Sequence, residues 1–237
     1  MLILAHRGAS ADAPENTLPA FEEAVAQGAD GVELDVMLCG SGELVVCHDE
    51  RLDRLAGRDL AVKATPLAEL RKLDVGRHLG FKAFATIPTL EEVFAALPAR
   101  FLVNVELKCD SLDDGGLARR AGEYLVRGGL AERVIVSSFN PVCMWKLAWA
   151  FPQLRRGWLI DPDRPFWLED GFTRWCANFS AHPPHQAVTA YHMQRWKRAG
   201  LEVAAWTVDD PAEARRLRDL GVQYCITNRP RVLRRGR

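Results

Sequence analysis

The sequence predicts an α/β chain of eight strand–helix units closed into a barrel, with a small insertion after the second-strand hairpin. Three observations predict it. Beyond residue 100, short β-branched runs alternate with helical segments, the pattern of a parallel sheet covered by helices. Counting residues 31–49 as one long strand plus its return gives eight units, which favours closure over an open sheet. The 237 residues suit the about 250 that such barrels commonly use.

Residues 2–5 form a short apolar strand ending in His6-Arg7-Gly8. A polar loop with Pro14-Glu15-Asn16 follows. Asn16 or Thr17 can cap the next helix, which has Pro19 in its first turn and Gly28 as its stop. In the second strand Val32, Leu34 and Val36 alternate with Glu33 and Asp35, so both carboxylates share one face. Gly40-Ser41-Gly42 is a tight turn and residues 44–47 the returning strand, which carries His48 back beside Asp35. Residues 51–88 are polar and weakly periodic, an inserted lobe with 68–73 as its best helix. Thr89 to Glu92 is a capping box that restarts regular structure.

Strands follow at 101–107, 134–138, 157–160, 176–182, 202–207 and 224–227. Helices fill the gaps: one ending near Gly128, one opened by Asn140-Pro141, one over 189–199, and one behind a second capping box from Asp210 to Glu213. Residues 161–171, rich in proline and aromatics, read as a loop. The tail 229–237, with five arginines, reads as a solvated end. With no linker in sight, residues 1–237 read as one domain carrying the 51–88 lobe.

Hydrophobic residues make up 48%, enough for a sizeable core. Lys+Arg and Asp+Glu both total 31, so a zero net charge gives no sign of a nucleic-acid partner or of stable membrane association. The six scattered cysteines form no C-x-x-C pair and are expected to be free thiols of a cytoplasmic protein. The start lacks a signal-peptide pattern, and no apolar run approaches the about 20 residues of a membrane span.

In a barrel of this kind the active site lies at the C-terminal strand ends. Glu33, Asp35 and Glu106 fall there and make an all-oxygen ligand set, suited to one divalent cation, Mg²⁺ or Ca²⁺, rather than zinc. Arg7 and Lys108 beside them suit an anionic substrate, most simply a phosphate, or else plain pairing with the same acids. His6 and His48 flank the site as a general acid and base. Trp206 either stacks on substrate or packs. Phe166 and Trp167 are candidates for one wall of the mouth, and His182 and His185 fall at its rim or on a plain loop. His78 and His192 read as surface residues.

The motifs HRG at 6–8, PENT at 14–17, GADGVELDV at 28–36, LVVCHDERLDR at 44–54, IPTLEEV at 87–93, NVELK at 104–108, SSFN at 137–140, WTVDDPAEARRLRDLGV at 206–222 and ITNRP at 226–230 are collinear over nearly the whole chain. Together they resemble the glycerophosphodiester phosphodiesterases, most closely the short soluble bacterial members. The resemblance implies a distorted TIM-type (β/α)8 barrel whose insertion is the 51–88 stretch. It implies hydrolysis of glycerophosphodiesters, such as glycerophosphocholine, to glycerol 3-phosphate and an alcohol. One divalent cation would sit on Glu33, Asp35 and Glu106, with His6 and His48 as the histidine pair. Arg7 and Lys108 would bind phosphate, and Glu15 would lie near the metal and Arg7. Two rim positions depart from the family, which commonly has asparagine at 209 and aspartate at 228, where Asp209 and Asn228 stand here. The nucleophile stays open between water and the glycerol 2-hydroxyl. Two rivals to the hydrolase stay open too: a phospholipase acting on lysophospholipids or phosphoinositides, and a non-catalytic phospholigand-binding barrel.

Overall fold

A computed structural model describes residues 1–236 apart from Asp110 and Leu112, with Phe166 described through its backbone alone. The first half of the chain gives β1 (Leu2–His6), α1 (Leu18–Ala26), β2 (Gly31–Leu38), β3 (Leu44–Val46), the short α2 (Asp53–Ala56) and α3 (Leu67–Leu70), α4 (Leu90–Ala96), β4 (Leu102–Leu107) and α5 (Leu117–Arg127). The second half gives β5 (Val134–Ser138), α6 (Pro141–Ala150), β6 (Arg155–Leu159), α7 (Phe166–Cys176), β7 (Ser180–His182), α8 (Ala190–Arg198), β8 (Glu202–Ala205), α9 (Pro211–Asp219), β9 (Tyr224–Thr227) and α10 (Pro230–Arg235). The sheet order is β1-β9-β8-β7-β6-β5-β4-β2-β3, and the pairing of β1 with β2 closes it. Eight strands pair in parallel around the barrel, and β3 lies antiparallel on the outer part of β2.

Period-two alternation sorts the side chains. Val32, Leu34, Val36, Val103, Val105, Val134 and Val136 point outward and are buried against Phe21, Leu90, Leu125 and Leu147 of the helices. Each such burial contributes about 1.5–3 kcal/mol. Leu4, Ile135, Ala204, Tyr224 and Ile226 point inward and plug the floor of the barrel. Above that dry floor the inward positions turn polar, buried Ser180 and His182 among them. Residues 51–88 build a small core of their own, with Leu52, Leu55, Val62, Leu70 and Val75 packed on Val45 and Cys47.

Several expectations are corrected. Residues 161–171 are not all loop, because α7 begins at Phe166. Its buried stripe is Glu169, Thr173 and Cys176, a helical spacing hidden by a polar residue. Cys176 is therefore helical, and β7 shrinks to Ser180–His182, while β6 starts two residues early at Arg155. The arginine tail is a helix, α10, which buries Pro230 and Leu233 and pairs Arg231 with Glu23 and Arg234 with Asp30. Thr89 and Glu92 do form a capping box. Asp210 caps α9 through the Ala212 N–H, but Glu213 turns away to His185 and Arg216. Thr17 stands at the α1 cap position without capping it, its hydroxyl donating instead to the Pro14 carbonyl.

Candidate active site

The register sets the site. Asp35 lies opposite Glu106 across β2 and β4, and His6 opposite Glu33 across β1 and β2. The hairpin returns as read, with the Cys47 N–H on the Asp35 carbonyl at 2.9 Å. His6, Arg7, Glu33, His48, Glu106, Lys108 and Trp206 all line one cavity of about 160 Å³. Asp35 lies beneath them, 1% exposed. Arg7 and Asn16, both with φ near 56°, are the non-glycine residues in the left-handed region among those described. For arginine that conformation costs roughly 1–3 kcal/mol. It is held by the Arg7 N–H donating to the Glu33 carboxylate at 3.1 Å and by the Asn16 N–H on the Arg7 carbonyl at 2.9 Å.

One carboxylate oxygen from each of Glu33, Asp35 and Glu106 lies within 4.8 Å of the others. Two ionised carboxylates at that range repel by roughly 3–4 kcal/mol at an effective dielectric of about 20. Burial, then Asp35 and Glu106, drives Glu33 well above the usual carboxylate range. Burial and Asp35 push Glu106 to about 7. Burial also acts against ionised Asp35, but Arg7 and then Lys108 outweigh it and hold its carboxyl below the usual range. Asp35 Oδ1 is buried without a hydrogen-bond donor. Three crowded carboxylates, with the Asp35 Oδ1 left without a donor, fit a divalent cation, and their hard character fits no thiophilic metal.

The cations frame this triad. Arg7 Nη1 donates to Glu15 at 2.9 Å, with its Nε 3.2 Å from Asp35. Lys108 donates to Glu106 at 2.8 Å and lies 3.8 Å from Asp35. Both pair with the acids and both face the cavity. His6 Nε2 is 3.8 Å from Glu33, and burial, then Arg7, lowers its pKa. His48 Nδ1 lies 2.7 Å from Asp49 Oδ1. Arg54 of α2 donates to Asp49 at 2.7 Å and in fork fashion to Glu15 at 2.9 and 2.7 Å.

Other expectations are settled by position. Trp206 follows β8, donates to the His182 carbonyl at 2.8 Å and meets Phe139 edge-on at 6.0 Å. It packs and lines the cavity at once. Trp167 is 74% exposed and lines no part of this cavity, so it is not a wall of the mouth; the Phe166 side chain lies outside the described residues. His182 is not at the rim. It is wholly buried in the barrel on Ser180 at 2.7 Å, and burial lowers its pKa to about 3. His185 pairs with Glu213 at 2.8 Å, away from the cavity. Sequence reasoning missed Asn16, which donates to Asp35 at 2.8 Å, and it missed Asp49 and Arg54. It also read Asn228 only as a rim position that departs from the family, whereas Asn228 Oδ1 lies 2.7 Å from His6 Nδ1. The signal in the sequence was Asn16's place in the PENT motif at 14–17; Asn228, 222 residues from its partner, carried none locally.

A family model described as the glycerophosphoryl diester phosphodiesterase family matches residues 6–232. A glycerophosphodiester phosphodiesterase of Caldanaerobacter subterraneus subsp. tengcongensis is 36% identical, covering 98% of this chain and 96% of its own length. Among solved structures, an Oleispira antarctica phosphodiesterase in complex with the product sn-glycerol-3-phosphate superposes with a TM-score of 0.85 at 30% identity, covering 100% of this chain and 96% of the other. A Thermotoga maritima glycerophosphodiester phosphodiesterase gives 0.80 at 30% identity, covering 100% and 98%. By the family match over residues 6–232 and the 36% identity over nearly the whole chain, the chain belongs to the glycerophosphoryl diester phosphodiesterase family.

Proposed function

We propose that the protein hydrolyses glycerophosphodiesters, such as glycerophosphocholine and glycerophosphoethanolamine, to sn-glycerol 3-phosphate and an alcohol. The carrying observation is that three acids, two cations and two histidines from β1, β2, β3 and β4 meet at one small cavity. The similarity to a phosphodiesterase bound to sn-glycerol-3-phosphate supports the same product class. Glu33, Asp35 and Glu106 would hold one Mg²⁺ or Ca²⁺. A cation bound there supplies positive charge against the phosphate oxygens. Residues 1–237 would act as one catalytic domain, with 51–88 as a lobe carrying Arg54 to the mouth. The free cysteines support a cytoplasmic setting, and no helix of the described residues is long and apolar enough to cross a membrane.

A phosphodiester resists attack because its own oxygens repel nucleophiles. Arg7 and Lys108 bind those oxygens and offset the charge that grows as phosphorus is attacked. Glu15 holds the Arg7 guanidinium in place. Of His6 and His48, one takes the proton of the nucleophile, water or the glycerol 2-hydroxyl. The other gives a proton to the departing alkoxide as its P–O bond breaks. Trp206 closes the cavity on its far side and limits water there.

The test is a side-by-side assay of glycerophosphocholine and a lysophospholipid, with and without chelator. Release of sn-glycerol 3-phosphate from the first, lost on chelation, is expected. Turnover of the lysophospholipid alone would replace the proposal with a phospholipase, and turnover of neither would leave a binding protein.

A further inference from the structure

At the end of β9 a chain of three polar side chains runs from solvent to the reaction centre. Asp209 accepts from the Asn228 side chain at 2.7 Å, the Asn228 N–H at 2.8 Å and the Thr227 hydroxyl at 2.9 Å. A carboxylate offers only acceptors, so the NH₂ end of the Asn228 amide must face Asp209. Its carbonyl end must then face the other way, where it receives the Ser10 hydroxyl at 2.9 Å and lies 2.7 Å from His6 Nδ1. An amide oxygen cannot donate, so the proton between Asn228 and His6 belongs to Nδ1. Asp209 thereby settles both the Asn228 orientation and the His6 tautomer, two assignments that heavy-atom positions alone leave open.

We infer that Asn228, turned by Asp209, is a positioning residue that holds His6 as the Nδ1–H tautomer with bare Nε2 facing the carboxylate cluster. The inference deepens the proposed hydrolase and rests on it for the meaning of His6, though not for the tautomer itself. The bare nitrogen lies on the Glu33 side, 3.8 Å from that carboxylate. His6 therefore meets the nucleophile as an acceptor. His48 is backed differently, by the carboxylate of Asp49 at 2.7 Å. The pair at 209 and 228 keeps one carboxylate and one amide, with the amide placed against the imidazole.

Two measurements test this. Long-range proton–nitrogen correlation on ¹⁵N-labelled protein, at mildly alkaline pH, reads the ring nitrogens of His6, assigned by their loss in His6→Gln. A protonated Nδ1 and a pyridine-type Nε2 are expected; a protonated Nε2 in the wild-type protein overturns the inference. In kinetics, Asn228→Leu should lower kcat by about 10- to 100-fold with KM little changed, the usual effect of removing the partner that orients a functional histidine. The exchange Asp209→Asn with Asn228→Asp restores an acceptor at Nδ1 and should recover most of the loss. Wild-type kcat in Asn228→Leu, or a double variant no better than Asn228→Leu, also overturns it. If the protein cleaves no glycerophosphodiester, the proposed function falls while the nitrogen spectrum still decides the tautomer.

Discussion

Around the mouth of the barrel, β1, β2 and β4 end in three acids, an arginine and a lysine, whereas β5, β6 and β7 offer Ser137, Gly157, Leu159 and His182 at their inward positions. In the first arc Arg7 stands 3.2 Å from Asp35 and Lys108 2.8 Å from Glu106. In the second there is no formal charge, and even the histidine stays neutral at pH 7 because burial lowers its pKa to about 3. The two arcs also differ in how tightly they are filled. Gly157 is bare because a Cβ there would stand 2.3 Å from His182 Nε2. The contrast teaches that charge is gathered on one arc, where the proposed cation and phosphate would neutralise it, and that the other arc would offer the alcohol nothing ionic to recognise.

The predictions press on that contrast, largest effect first. Removing divalent cations should abolish turnover and lower Tm, because the acidic arc loses the ion that relieves its repulsion. A ligand at a hundred times its Kd adds about 2.7 kcal/mol. Activity that survives exhaustive chelation and dialysis would sink the metal assignment. Next, His6→Ala and His48→Ala should each lower kcat by about 10²–10⁴-fold with a far smaller change in KM. Steady-state kinetics that leave either kcat untouched would remove that ring from the chemistry.

On the neutral arc the effect is on stability. His182 folds with its pKa at about 3, against 6.5 in the unfolded chain. Between those values the unfolded state binds a proton that the fold refuses, so stability is complete above 6.5 and falls with pH through this window. The full loss from this one group is on the order of 5 kcal/mol. Denaturant midpoints across the window should fall more steeply for wild type than for His182→Gln; parallel curves would show that the ring is not held neutral. Smallest is the choice of alcohol. With no acid on that side, kcat/KM for glycerophosphocholine, glycerophosphoethanolamine and glycerophosphoglycerol should agree within about tenfold, or about 1.4 kcal/mol. A hundredfold choline preference would contradict the uncharged arc.

How far the sequence disclosed all this also divides along physical lines. The barrel strands and the acidic triad were legible because Val32, Leu34 and Val36 alternate with Glu33 and Asp35, and such local periodicity survives any tertiary context. The helix α7 was not, because its inner face carries Glu169, which accepts from Trp158 Nε1 at 2.7 Å, and a buried acid breaks the apolar stripe. The helix α10 was not, because only Pro230 and Leu233 are buried among arginines. The supports of the histidines, Asn228 and Asp49, act through single hydrogen bonds, which leave no repeat to find.

Arg54 gives the 51–88 segment a consequence beyond its own small core. One guanidinium joins Glu15, which steadies Arg7, to Asp49, which backs His48. The segment is thus a strut across the mouth and not a lid over it, since swinging it outward would free both acids at once. The segment therefore acts on the mouth through a single guanidinium, and losing that one group would release the supports of Arg7 and His48 together.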